Sequence, residues 1–151
     1  MTTHELDSNV KISKAISAIN YTGAGTDDGD IIDRQGFESL EFSCIVGVDA
    51  GLDGSNHLQF KLQHGDAANL SDAADVVIGD LIGSLTGGIT AVVTGIFAIV
   101  DATAEDDVVF KIGYKGIKRY VRLSVIVTGA TTDCPAGASA LQGHPANAAV
   151  V

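Results

Sequence analysis

Apolar residues recur at every second position along most of the 151-residue chain, the period of a strand with one face on a core and the other toward solvent. Leu40, Phe42, Cys44 and Val46 alternate with Ser39, Glu41, Ser43 and Ile45. Leu58, Phe60 and Leu62 alternate in the same way with His57, Gln59, Lys61 and Gln63. Between the two runs, Gly47 to Asn56 is rich in Gly, Asp and Asn, which supply turn conformations, so the runs are predicted to be neighbouring antiparallel strands. Val108, Phe110, Ile112 and Tyr114 form a third inward set. After Gly116 the set Val121, Leu123, Val125 and Val127 follows, and this pair predicts a hairpin. Weaker strands are expected at Val10 to Ile19, Val76 to Ile78 and Ile96 to Val100, with a last one around Ala136 to Leu141. Only Asp66 to Asp75, Ala-rich and capped by Asp, has a helical character, and it is too short to stand without tertiary support.

Short strands punctuated by Gly and Asp predict an all-β fold, an antiparallel β-sandwich or barrel of about 7–9 strands with little helix. One domain is expected over residues 1–151, with extended terminal arms: an N-terminal arm at 1–9 and a C-terminal tail at 144–151, where the periodicity fades. The stretch Leu81 to Val100 holds twenty residues without a charge, long enough to cross a bilayer as a helix. It also holds four Gly, three Thr and a Ser, has Asp on both flanks, and lacks interfacial Trp or Tyr. A buried strand pair with a Gly-rich turn, or an apolar interface segment, is the expectation there, and no membrane association.

Charge narrows the function classes. Nineteen acidic against nine basic residues give a net charge of −10, which argues against general nucleic-acid binding and against residence on anionic lipid, both polyanionic partners. Met1 to Asp7 has neither a basic nor an apolar region of a signal peptide, so synthesis in the cytoplasm is expected. Cys44 and Cys134 lie far apart with no C-x-x-C, which leaves a structural zinc site unsupported and one disulfide open; the placement of Cys44 inside a strand favours a small buried thiol.

Candidate chemistry is sparse. Asp27-Asp28-Gly29-Asp30 with Asp33, Glu105-Asp106-Asp107, and Asp49, Asp53 and Asn56 are oxygen-rich, but they lack the EF-hand spacing and its distal Glu, and read as acidic turns solvating strand ends. His57 and His64 have opposite parity and are expected on opposite faces of one strand, which makes a shared metal improbable. There is no H-E-x-x-H and no G-x-S-x-G, and Thr22-Gly-Ala-Gly-Thr26 and Thr86-Gly-Gly88 lack the Lys of a phosphate-cradling loop. No cofactor, no metal and no catalysis are expected. The basic residues do cluster: Lys111, Lys115, Lys118, Arg119 and Arg122 are five of nine within twelve residues, interleaved with Tyr114 and Tyr120. Such a stripe is either a solvated face or an interface that docks an acidic surface on a partner or on another copy.

The run Val109 to Thr132, with its core Gly-Tyr-Lys-Gly-Ile-Lys-Arg-Tyr-Val-Arg at 113–122, resembles a group of small tailed-bacteriophage virion proteins. Leu141-Gln-Gly-His-Pro145, Thr2 to Asn9 and Gln35 to Phe42 are similar to that group too, so the likeness spans most of the chain except 81–100. The resemblance implies a capsid decoration, or cement, protein: a β-rich virion component that binds the major capsid protein on the outside of the expanded shell, as a homo-oligomer on the lattice. Lys111, Tyr114, Lys115, Lys118, Arg119, Tyr120 and Arg122 are the expected interface. The rival readings are a tail or head–tail connector component, and a carbohydrate- or receptor-binding β-sandwich using calcium in its acidic loops.

Overall fold

The computed structural model describes residues 9–83, 95–130 and 133–146. Among them ten strands run in chain order: β1 (Val10–Tyr21), β2 (Gly25–Asp33), β3 (Phe37–Val46), β4 (His57–Gly65), β5 (Ala74–Asp75), β6 (Leu81–Ile82), β7 (Ile96–Val100), β8 (Val108–Tyr114), β9 (Tyr120–Thr128) and β10 (Cys134–Pro145). They form two antiparallel sheets packed as a β-sandwich. Sheet I has the order β1-β10-β3-β8-β6. Sheet II has the order β2-β9-β4-β5, with β7 also on β4.

Alternation places the side chains as expected. Leu40, Phe42, Cys44 and Val46 of β3, Phe110 and Ile112 of β8, Leu58, Phe60 and Leu62 of β4, and Val121, Leu123 and Val125 of β9 all point into one core between the sheets. Phe60 meets Phe110 edge-on at 5.0 Å between ring centroids, and Phe97 stands 6.3 Å from each. Aromatic rings meeting from opposite sheets fill the 10 Å gap that facing sheets leave.

Strand neighbours differ from expectation. β8 pairs with β3 in sheet I and β9 pairs with β2 and β4 in sheet II, so the predicted hairpin is a crossover between sheets. The runs 40–46 and 58–62, expected side by side, likewise face each other across the core. A period of two fixes which face a residue takes and says nothing of which strand lies beside it. The acidic run at 27–33, expected as a turn, is the edge strand β2, whose carboxylates face partners on β9 and β1.

Three smaller expectations are also corrected. Residues 66–73 are turns that end in β5, since the Asp72 carboxylate accepts from the amides of Asp66 and Ala67 at 2.8 and 3.1 Å and closes the loop more tightly than a helix would. Val76 to Ile78 is the exit from sheet II: β5 and β7 lie end to end along β4, joined where Gly95 donates to Val76 and accepts from Leu62 at 2.8 Å. The chain leaves that seam to place β6 on β8 in the opposite sheet, so Leu81–Ile82 and Ile96–Val100 are not a strand pair. His144 to Ala146, expected in a tail, continue β10 against the start of β3, and Ala146 donates to the Gly36 carbonyl at 2.9 Å. Residues 1–8, 84–94 and 147–151, which hold most of both expected arms and the Gly-rich part of the apolar stretch, lie outside the described residues. Among the described residues no helix is long and apolar enough to cross a membrane.

Candidate functional site

The basic stretch singled out in the sequence surrounds the link from β8 to β9. Lys115 to Arg119 cross from one sheet to the other at an end of the sandwich, and the crossing is braced. The Lys115 amide donates to the Asp80 carbonyl at 2.8 Å and the Arg34 amide donates to the Arg119 carbonyl at 3.0 Å. The Arg34 guanidinium, one residue past β2, donates from Nη1 to the carbonyls of Gly116 and Lys118 at 2.7 and 3.0 Å. One cation therefore satisfies two carbonyls that a free loop would leave to water. Gly116 is required because a Cβ there would collide with the Tyr114 ring. At the apex, Ile117 is 96% exposed.

Tyr114 is a correction to the expected surface. It is 3% exposed and belongs to the core. Its hydroxyl lies 2.8 Å from His64 Nδ1 and accepts from the Lys118 amide at 3.3 Å, and the Arg34 guanidinium sits 4.8 Å from its ring centroid. Burial raises the phenol pKa above its ordinary value. Tyr114 thus works from below, carrying the link on its hydroxyl and ring.

The other expected residues divide among three surfaces. Lys111 lies on the outer face of sheet I and pairs with Glu41 at 3.2 Å. Arg122 lies on the outer face of sheet II, where it pairs with Asp28 at 3.2 Å and donates to Gln63 at 2.8 Å. Lys118 and Arg119 flank the link. Lys118 meets Asp66 at 2.5 Å, a contact that holds its ammonium above the ordinary lysine pKa. Arg119 grips Asp33 with two bonds of 2.8 and 2.7 Å, also donates to Gln35, and lies 4.9 Å from the Tyr120 ring. Those bonds hold the Asp33 carboxyl below the usual range. Lys115 alone of the five cations makes no side-chain ion pair among the described residues. The stripe is therefore largely neutralised in place, and what it presents outward is Ile117 with Lys115 beside it.

The two outer faces differ in kind. On sheet II, Ser124, Asp28, Arg122, Gln63, Asp75 and Lys61 are joined in a continuous polar chain, with Ser124 donating to Asp28 at 2.7 Å and Lys61 meeting Asp75 at 2.8 Å. On sheet I the face is an open trough of about 1240 Å³, with Ile12, Leu141 and Ile82 along it and the bare backbone of Gly113 and Gly143 in its floor. Lys115 is among the residues that line it.

The remaining candidates are absorbed locally. Asp27 accepts from the Tyr21 hydroxyl at 2.7 Å, Asp106 from the Asp49 amide at 2.8 Å, and Asp53 from the amides of Ser55 and Asn56 at 2.7 and 2.8 Å. Among the described residues no group of three or more His, Cys, Asp or Glu is arranged to hold a metal ion. His57 bonds Gln59 on the outer side of β4 and His64 turns inward to Tyr114, on opposite faces as their parity requires. Cys44 and Cys134 are free and buried. Sequence reasoning missed Arg34 and Ile117. Arg34 carries no local signal, but Ile117 does: it is an apolar residue between two lysines, beside Gly116 and outside both alternating runs.

No protein-family model matches the chain, and no curated protein matches it. Its fold recurs among solved structures. A chain in the structure of deformed wing virus, a honeybee pathogen, is 10% identical, with a TM-score of 0.50 over 100% of this chain and 54% of that one. The SPBc2 prophage-derived protein YomS is 11% identical, with a TM-score of 0.46 over 87% of this chain and 94% of its own. The C-terminal domain of EclA, a sugar-binding protein, is 9% identical, with a TM-score of 0.42 over 93% and 82%. At such identities the likeness is one of fold alone, and β-sandwiches serve many functions.

Proposed function

We propose that this chain is a bacteriophage virion structural protein that decorates and stabilises the capsid exterior by binding the major capsid protein without turnover. The observation that carries this reading is the braced link. A fully exposed Ile117 held on a rigid crossing, with an unpaired Lys115 beside it, is preorganised to enter a pocket on another protein, because little conformational entropy is left to lose on docking. The link is also the centre of the segment whose sequence resembles phage virion proteins. Repeated over a symmetric shell, a modest contact of this size gains through avidity. The apolar trough of sheet I and the ion-paired face of sheet II suit a protein that meets other proteins on some sides and solvent on another.

Sugar binding has less support. Six of the eight aromatic side chains are buried, and the other two, Phe37 and Tyr120, already lie under Lys11 and Arg119. A stacking platform for a pyranose ring has no residue to supply it.

The test is co-sedimentation of the purified protein with expanded, undecorated capsids of a tailed phage that encodes it. Saturable binding that Ile117→Asp weakens at least tenfold supports the reading. No association with capsids, or equal association of the Ile117→Asp variant, overturns it. Ring formation without capsid binding would instead favour a connector component.

A further inference from the structure

We infer that the outer face of sheet I is a self-association surface on which a second copy of this chain packs face to face, about a two-fold axis running along β3. This rests on the sheet itself and is independent of capsid binding.

The register supplies the argument. Four rows cross the face: Val10–Gly143–Ser39 over β1, β10 and β3; Ile12–Leu141–Glu41–Gly113–Ile82 over β1, β10, β3, β8 and β6; Lys14–Ser139–Ser43–Lys111 over the first four; and Gly137–Ile45–Val109 over β10, β3 and β8. β3 is the middle strand of five. A two-fold axis along the middle strand lays β10 of one copy over β8 of the other, and β1 over β6, while keeping each row in register. Off the axis, large residues then meet small or apolar ones. Leu141 faces the bare backbone of Gly113, Lys111 faces Ser139, and Ile12 faces Ile82. Large-against-small alternation across facing positions is what lets two sheet faces interdigitate at about 10 Å.

Charge agrees with shape. Glu41 lies on the axis strand with Lys111 at 3.2 Å to one side. The second copy brings its own Glu41 above the first and its Lys111 to the other side, so two carboxylates sit between two ammonium groups with no net charge. This matters in a chain of net charge −10, where most other face-to-face pairings of the surface would set like charges together. Ile12 and Ile82, 69% and 57% exposed, are otherwise left in water.

Area sets the strength. Strands about 4.8 Å apart and rows about 6.6 Å apart give the face roughly 500–700 Å² per copy, at the low end for a stable interface. The association is therefore expected to be concentration-dependent, with a Kd on the order of micromolar.

Light scattering across a dilution series is expected to show mass falling from twice 15.5 kDa to 15.5 kDa, and Leu141→Glu is expected to remain monomeric throughout. Because that variant could perturb folding, the geometry has its own test by thiol cross-linking. Ser43→Cys places a thiol on the axis, and because facing sheets stand about 10 Å apart, beyond the reach of a disulfide, a short bis-maleimide is expected to link it into a covalent dimer. Ser139→Cys, one strand off the axis, is expected not to link to itself, but to link when mixed with Lys111→Cys. Each variant carries one new thiol, so a link between positions 139 and 111 in the mixture joins two chains. A wild-type protein that stays monomeric at high concentration overturns the inference. So does a dimer in which Ser43→Cys fails to link, or an assembly larger than a dimer.

Discussion

The Arg34 guanidinium lies 4.8 Å over the ring of Tyr114 while the same group bonds the carbonyls of Gly116 and Lys118. The two residues come from opposite sheets, so the contact locks β2 to β8 at the end where the chain crosses. It also fixes the crossing peptide above it. A single side chain thus couples the stability of the sandwich end to the order of the exposed link.

Arg34→Ala is therefore expected to lower stability by about 1–3 kcal/mol, from lost charged hydrogen bonds and ring contact. Trypsin should then cut at Lys115 and Lys118 well before the rest of the native chain. A melting temperature unchanged by the substitution, with the link still protected, would show that the backbone bonds from Lys115 and Arg34 brace it without the guanidinium.

Ile117 makes the opposite case. With its side chain almost wholly in solvent, Ile117→Asp is expected to change stability by no more than about 0.5 kcal/mol. Urea unfolding checks this, and a neutral result licenses reading any lost association as loss of an anchor. A large destabilisation would place Ile117 in a structural role.

The contrast between these two residues shows what the sequence made legible. The inward faces of β3, β4, β8 and β9 were readable because each buries one parity of an unbroken alternation. That parity already placed Tyr114 with Phe110 and Ile112 inside, and its value as a surface anchor was an inference from its basic neighbours. Pairing was not readable. β8 and β9 are adjacent in sequence and both amphipathic, and a crossing of five residues satisfies a hairpin or a sheet-to-sheet link equally. β2 was hidden because its identity as a strand lies in its partners: Asp28 and Asp33 are strand residues because Ser124, Arg122 and Arg119 face them from β9 and the link. Of the site, the basic cluster was visible, and its neutralisation by acids from β2, β3 and the 66–72 loop was not, since those contacts span 52 to 94 positions of chain.

Acid should unfasten part of this. Hydrogen bonds from Arg119 hold Asp33 below the usual carboxyl range, so the unfolded chain takes up its proton first. The stabilisation is present above an ordinary Asp pKa of about 4 and is lost as pH falls through the lowered native value. Asp33→Asn is expected to melt earlier than wild type near neutral pH and to approach it in acid. Parallel melting curves down to about pH 3 would show that the pair adds nothing to the fold.

The thiols are expected to be silent. Burial pushes Cys134 up to about 12, with Asp49 and Asp106 adding to the effect, and burial raises Cys44 as well. Cys44 pairs across the ladder with Ala138, four residues from Cys134, a separation of about 13 Å along the strand that no disulfide spans. Ellman's reagent should find no reactive thiol in the native protein and two after denaturation without reductant. One or none after denaturation would mean that β3 and β10 are not paired as described.

Gly29 tests how the sandwich closes at its β1–β2 edge. It sits in the bulge of β2 between Asp28 and Ile31, where a Cβ would collide with the carbonyl oxygens of Ala15 and Leu123 and with the Ile16 side chain. The two edge strands belong to different sheets, and β1 bulges at the same level. The absence of a side chain is what allows them to touch and leaves neither edge open there. Gly29→Ala is expected to cost about 1–3 kcal/mol by prising the edges apart, and amide exchange in β1 and β2 should accelerate more than in β3 or β4. Uniform acceleration through both sheets would mean that the edge contact supports the whole core rather than its own seam.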